Sequence, residues 1–174
     1  MDIAIVGATG NVGRKTLEVL EKKDLSIDNL YLLASSKSVG KKINFRGADH
    51  AIHDLESFDF SKVKICFFAA GGKVSEKFAE KAAKNCLVID NSSHFRMDAD
   101  VPLIVPQVNS EDLKNIKKNI IANPNCSTAQ LVIALKPLHD LFSIKRIVVS
   151  TYQSVSGGGK APMDELIEQT KLVL

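Results

Sequence analysis

The residues best suited to do chemistry lie in Asn123-Pro-Asn-Cys-Ser-Thr128, between a short apolar run, Asn119 to Ala122, and a stretch from Ala129 with apolar residues at helical spacing. This order predicts a strand-to-helix turn with Cys126 at the helix N-terminus. Unpaired backbone N–H groups and the macrodipole favour an anion there, so the thiolate is favoured and a developing oxyanion could be held. A second anion-directed feature is Asn91-Ser-Ser-His-Phe-Arg-Met97, which follows a strand pattern at Cys86 to Asp90. Arg96 is a candidate clamp, because a planar guanidinium can pair two oxygens of a phosphate or carboxylate. Gln153 and Ser156 precede the glycine turn Gly157-Gly-Gly159, which could admit substrate or the nicotinamide end of a dinucleotide.

Those residues need a scaffold, and the N-terminus supplies its signature. Asp2 to Val6 is an apolar strand leading into Gly7-Ala-Thr-Gly-Asn-Val-Gly13, followed by helical periodicity from Arg14. A glycine turn between strand and helix lets a pyrophosphate approach backbone N–H groups, so the turn from Gly7 to Gly13 is a candidate dinucleotide site. The spacing is G-x-x-G-x-x-G, a variant of the usual fingerprint. The next strand, Leu30 to Ala34, ends at Ser35-Ser-Lys-Ser38 where an NAD site would present an acid. Hydroxyls and a cation suit a 2′-phosphate, so NADP is expected over NAD, held by Ser35, Ser36, Lys37 and Ser38.

A buried strand over Val63 to Ala70 ends at Gly71-Gly72, the expected second close approach to the dinucleotide, with Ala70 and Gly71 as contacts. A helix over Val74 to Asn85, with Phe78, Ala82 and Ala83 inward, leads to the strand Cys86 to Asp90. Repeated strand-helix-strand order implies a doubly wound parallel sheet. Ile43 to Phe45 and Ala51 to His53 could be short strands, and Val101 to Asn109 reads as extended and proline-interrupted, with a short helix from Ser110. Ile144 to Val155, rich in β-branched residues, is expected to form one long strand, and a helix with Pro162 near its start follows.

Composition excludes several classes. The 174 residues are 45% hydrophobic and 25% charged, enough for one sizeable core or a domain with part of a second. A net charge of +3 with dispersed Lys and Arg gives no footprint for nucleic acid. No run approaches about 18 apolar residues, and Asp2 argues against a signal peptide. Cys66, Cys86 and Cys126 form no close-spaced pair, which fits a reducing cytoplasm. His50 and His53 lack a third ligand at any metal spacing, so no metal is expected. Gly157 to Lys160 lacks both the prefix and the hydroxyl residue of a P-loop.

Together these motifs resemble bacterial aspartate-semialdehyde dehydrogenase along the whole chain. The resemblance rests on Gly7 to Gly13, Leu33-Ala-Ser-Ser-Lys-Ser38, Phe68-Ala-Ala-Gly-Gly72, Asp90 to Met97, Pro106-Gln-Val-Asn109, Asn123 to Thr128 and Tyr152-Gln-Ser-Val-Ser-Gly157. It implies a Rossmann-type NADP-binding domain over residues 1–126 and, over 127–174, the beginning of an α+β catalytic and dimerisation domain. By resemblance Thr9, Gly10, Asn11 and Val12 bind NADP, Cys126 is the nucleophile, Arg96, Asn125 and Gln153 bind substrate, and Ser156 and Gly157 lie by the cofactor.

The implied reaction is NADPH-dependent reductive dephosphorylation of 4-phospho-L-aspartate to L-aspartate 4-semialdehyde through a cysteine thioester, toward lysine by way of diaminopimelate, methionine and threonine. Family members are similar to this chain over roughly half their length. They take a general-base histidine and a substrate-binding arginine from the other half, and none of His50, His53, His94 or His139 lies in a matching motif. With its uncapped apolar end, Lys171 to Leu174, the chain reads as an N-terminal portion without turnover of its own, and the full-length form as a homodimer. Gly158 stands where the family commonly has Ala. An N-acyl-glutamyl-phosphate reductase has a similar plan, but its cysteine motif usually carries Gly in place of Asn125. A free-standing NADP-binding module is the reading from a different class.

Overall fold

The computed structural model describes residues 1–174. Strand β1 (Asp2–Val6) is built on period-two alternation, and its two faces go to separate cores. Ile3 and Ile5 pack with Leu17 and Leu20 of helix α1 (Asn11–Glu21). Ala4 and Val6 join Phe78, Ala79, Ala82 and Ala83 of helix α2 (Gly72–Ala83) on the opposite side. Helices therefore cover both faces of the sheet, as the repeated strand-helix pattern predicts.

The remaining strands are β2 (Asn29–Ala34), β3 (Lys42–Phe45), β4 (Ala48–Asp54), β5 (Ile65–Phe68), β6 (Leu87–Asp90) and β7 (Ile120–Ala122), in the order β3-β4-β2-β1-β5-β6-β7. All neighbours are parallel except β3 against β4, which form a hairpin. Chain order reverses around β1: β2 lies on one side and β5 on the other. That reversal opens a crevice at the carboxyl ends of β1 and β5, where such sheets bind ligands. Arg46, at the tip of the hairpin, donates from its guanidinium to the carbonyls of Leu20, Lys23 and Leu25, capping the end of α1.

Two expectations are corrected. Ile144 to Val155 forms no strand: residues 144–154 carry no regular structure and a 3-10 turn begins at Val155. β-branched residues suit a pleated surface, but a strand needs a hydrogen-bonding neighbour, and the sheet ends at β7, which pairs with β6. The segment Val101 to Asn109 is not extended throughout, because Pro106–Asn109 closes one helical turn, α3, with proline at its start. A 3-10 turn follows over Ser110–Asn115.

Every fully buried residue lies at or before Ala122. Beyond it come helix α4 (Cys126–Phe142) and helix α5 (Lys160–Val173), neither of which buries a residue completely. Large apolar side chains there stand open, among them Phe142, Val148, Tyr152 and Leu172. No helix is long and apolar enough to cross a membrane.

Candidate active site

Gly7 and Gly13 shape the first turn. Gly7 has φ +81°, and a Cβ on it would lie 2.7 Å from the carbonyl oxygen of Ala69. A Cβ on Gly13 would lie 2.2 Å from the carbonyl oxygen of Gly7. Only glycine at both positions lets the loop after β1 nest between α1 and the loop after β5. Helix α1 starts after Gly10 with no side-chain cap and no acid in its first turn, and α2 starts after Gly71 in the same way. Two helix N-termini are thus left with uncompensated N–H groups at one crevice, an arrangement that fits a pyrophosphate.

The crevice is a cleft of about 1010 Å³. Of the expected cofactor contacts, Gly7, Thr9, Gly10, Asn11, Val12, Ser35, Ser36, Ala70, Gly71, Ser156 and Gly157 line it. Lys37 and Ser38 do not; they complete a 3-10 turn begun at Ser36. The wall formed by Ser156 to Lys160 is carried over the cleft by the start of α5, where Met163 Sδ lies 3.8 Å from Asn11 Nδ2. Gly158 is packed under Pro162, whose Cγ would be 2.9 Å from an added Cβ, so an alanine there would have to displace that ring.

Sequence reasoning missed the acids of this cleft. Glu56 lines it at the end near Ser35 and Ser36, with its carboxylate 2.5 Å from Lys77 Nζ, and Asp164 lines it while paired to Lys160. Nothing local marks Glu56 as a site residue. It reaches the cleft because β4 pairs in parallel with β2, setting Asp54 beside Ala34.

Cys126 is the first residue of α4 and is exposed. Asn125 caps that helix, its side-chain oxygen accepting from the Thr128 N–H at 2.8 Å. The first turn contains no acid. Gln153 donates to Ser127 Oγ at 3.1 Å, which brings the segment before the glycine turn beside the residue following the cysteine. The other two cysteines are buried: burial pushes the Cys66 thiol well above its ordinary value, and Cys86 Sγ donates to the Ala82 carbonyl at 3.3 Å.

Arg96 is half-buried and faces the same loops. Its Nε donates to the Asn123 carbonyl at 2.9 Å and its Nη2 to the Asn91 carbonyl at 3.1 Å. A guanidinium has five N–H groups, so three remain, including at least one on each terminal nitrogen, enough for a bidentate anion contact. Asn123 Nδ2 also donates to Asn91 Oδ1, and Asn91 itself lines the nucleotide cleft. The structure thus gathers Arg96, Asn125, Cys126 and Gln153 around the carboxyl ends of β6 and β7, bordering the cleft. Asn91 and Asn123, which join the two halves, had no sequence signal beyond belonging to the motifs.

Of the four histidines only His94 lies in the loop that carries Arg96. His50 and His53 sit on β4 near the far edge of the sheet, and His94 packs edge-on against Phe95. His139 is far along α4 from Cys126, about 20 Å at the rise of a helix.

Known proteins share the sequence and fold of this chain. A family model described as the NAD-binding domain of semialdehyde dehydrogenase matches residues 2–116, and its dimerisation-domain counterpart matches residues 135–174. The aspartate-semialdehyde dehydrogenase of Rickettsia bellii is 53% identical over 172 residues, covering 98% of this chain and 51% of that protein. A crystal structure of aspartate semialdehyde dehydrogenase II from Vibrio cholerae, complexed with ASA, superposes with a TM-score of 0.93 at 52% identity, over 98% of this chain and 51% of that one. The Candida albicans enzyme with NADP superposes at TM-score 0.67 and 30% identity, over 82% of this chain and 48% of that one. The chain spans about half the length of the curated relatives it matches.

Proposed function

Given that the chain belongs to the semialdehyde dehydrogenase family, we propose that it supplies the nucleotide site, nucleophile and phosphate anchor of an NADP-dependent aspartate-semialdehyde dehydrogenase. Residues 1–126 form the nucleotide domain, and residues 127–174 open the catalytic and dimerisation domain. The observation that carries the reading is Cys126 at an acid-free helix N-terminus, within the loop cluster that holds the half-free guanidinium of Arg96 and borders a glycine-shaped dinucleotide cleft.

In this reading the Cys126 thiolate attacks the acyl carbon of 4-phospho-L-aspartate, the C–O bond to phosphate breaks, and phosphate leaves toward Arg96. A thioester stays on Cys126, its carbonyl oxygen within reach of the α4 N–H groups. Asn125 holds the helix start, and Gln153, tied to Ser127, orients the acyl chain. When bound, NADPH would supply the hydride that reduces the thioester carbon. Gly7 to Val12 hold the pyrophosphate, while Ser35 and Ser36 meet the 2′-phosphate with Lys37 adding charge from outside the cleft. His50 and His53 on β4 and His139, about 20 Å along α4, lie away from Cys126, and His94 packs on Phe95, so we assign proton transfer and recognition of the substrate carboxylate to none of the four. The open apolar surface of residues 138–174 fits burial in a homodimer of the whole protein. Thiols kept free suit a cytoplasmic enzyme of amino-acid biosynthesis.

NADP selection is tested by titrating the chain with NADPH and NADH. Tighter binding of NADPH is expected, with the preference reduced in Lys37→Glu by repulsion of the 2′-phosphate. Tighter binding of NADH would assign the ribose end to Glu56 and refute the reading of Ser35 to Ser38.

A further inference from the structure

Asp90, the last residue of β6, is the one carboxylate in the chain with no exposed surface, and no cation pairs with it. A buried carboxylate without a counter-charge has to be held by donors. Asp90 has three: Oδ1 accepts from Ser75 Oγ at 2.7 Å and from the Ser92 N–H at 3.1 Å, and Oδ2 accepts from Ser92 Oγ at 2.7 Å. Both hydroxyl protons are committed to the carboxylate, which frees a lone pair of Ser92 Oγ to accept from the His94 N–H at 3.1 Å. The turn from Asp90 to His94 is wound around this one side chain. The Asp90 backbone carbonyl also accepts from the Asn123 N–H at 3.0 Å, so the same residue fixes the start of the loop that carries Cys126.

The two carbonyls that hold Arg96 belong to Asn91, between Asp90 and the Ser92 that its carboxylate holds, and to Asn123, whose N–H the Asp90 backbone carbonyl accepts. We propose that Asp90 is a positioning residue for Arg96: it locks the two loops whose carbonyls grip one edge of the guanidinium, so that the remaining fork stays open to a phosphoryl oxyanion beside Cys126. The inference rests on Arg96 being the phosphate anchor and deepens that reading. Ser75 sits on α2, whose start at Gly71 and whose Val74 line the nucleotide cleft. Its hydrogen bond to Asp90 therefore pins the turn that carries Arg96 to a helix that lines the nucleotide cleft. Without the carboxylate, Ser92 Oγ and the Ser92 N–H lose their common acceptor, the turn relaxes, and the guanidinium is free to rotate out of register.

Inorganic phosphate is the probe, and its ability to slow alkylation of Cys126 by iodoacetamide is the readout, followed by peptide mass spectrometry on the chain itself. Phosphate is expected to protect Cys126, and Arg96→Lys to raise the half-protective concentration at least tenfold. Asp90→Asn, which keeps size but cannot accept at both oxygens, should raise it about tenfold with NADPH affinity changed less than twofold. Ser75→Ala should raise it about threefold, and it provides the test if Asp90→Asn does not fold. An unchanged phosphate requirement in the folded variants, with Arg96→Lys still impaired, overturns the positioning role alone. Equal loss of phosphate and NADPH binding in Asp90→Asn overturns it too, since general scaffolding would then explain both. Absence of phosphate protection in the unsubstituted chain, or indifference to Arg96→Lys, refutes the assignment of Arg96 and this inference with it.

Discussion

Asn125→Asp separates the two roles of the residue before the nucleophile. The Asn125 side chain caps α4 through its bond to the Thr128 N–H at 2.8 Å, and aspartate is as good a cap as asparagine. Stability should therefore hold, whereas Asn125→Ala should lose about 1 kcal/mol, a melting shift of about 2–4 °C for a chain of this size. Charge is a different matter. Adjacent side chains place the new carboxylate about 6 Å from the Cys126 sulfur, and at an exposed helix end, with an effective dielectric of about 40–80, the repulsion is about 0.7–1.4 kcal/mol. Alkylation by iodoacetamide, which needs negative charge to develop at that sulfur, should be slowed at neutral pH and low salt, by at most roughly three- to tenfold. Added salt should narrow the gap by screening an exposed pair. The assay is the second-order rate at Cys126 by peptide mass spectrometry, beside melting curves for the same samples. An Asn125→Asp rate equal to or above that of the unsubstituted chain would refute electrostatic control of the nucleophile by charge at the start of α4.

Two further perturbations follow from the same coordinates. Gly13→Ala puts a Cβ 2.2 Å from the Gly7 carbonyl oxygen and 2.8 Å from Ala8 Cα, both backbone atoms, so α1 has to move. At the usual cost of overpacking, roughly 1–3 kcal/mol, melting should fall by about 2–12 °C and NADPH affinity by more than tenfold, and calorimetric titration with unchanged affinity would contradict the account of the turn. Lys118, 2.8 Å from Asp98, holds that carboxyl below the usual carboxylate range. Its contribution is present above the unfolded value near 3.8 and lost as pH falls through the lower folded value. The melting difference between Asp98→Asn and the unsubstituted chain should therefore be largest near neutrality and vanish on strong acidification; a difference independent of pH would exclude the pair as its source.

Much of this arrangement is legible because its causes are local. Alternation in Ile3-Ala-Ile-Val6 sorts β1 between two cores, and glycines between a strand and a helix have few uses other than a close backbone turn. The Asn125 cap and the start of α4 at Cys126 follow from the residue types alone. What escapes depends on partners distant in the chain. Ile144 to Val155 has the side chains of a strand, yet strand formation is decided by a neighbour, and none lies alongside. Glu56 becomes a cleft residue only through the β2–β4 register. Asp90 reads as the end of a strand, and its role emerges only when Ser75, fifteen residues earlier, is placed against it by the packing of α2. Lys37 shows the converse: a residue of the expected type at the expected point in the chain can still lie outside the cleft, because one 3-10 turn carries it past the edge.

In the proposed reaction Cys126, and no other thiol, accepts the acyl group of an acyl phosphate. Acyl transfer to Cys126 is tested most directly by mixing the chain with 4-phospho-L-aspartate at neutral pH, quenching in acid and mapping the thioester by peptide mass spectrometry. An aspartyl mass increment is expected only on the peptide bearing Cys126, labile to hydroxylamine and absent from Arg96→Ala at the same substrate concentration. No increment at Cys126, or one shared evenly with the buried Cys66 and Cys86, would contradict acyl transfer to that thiol alone.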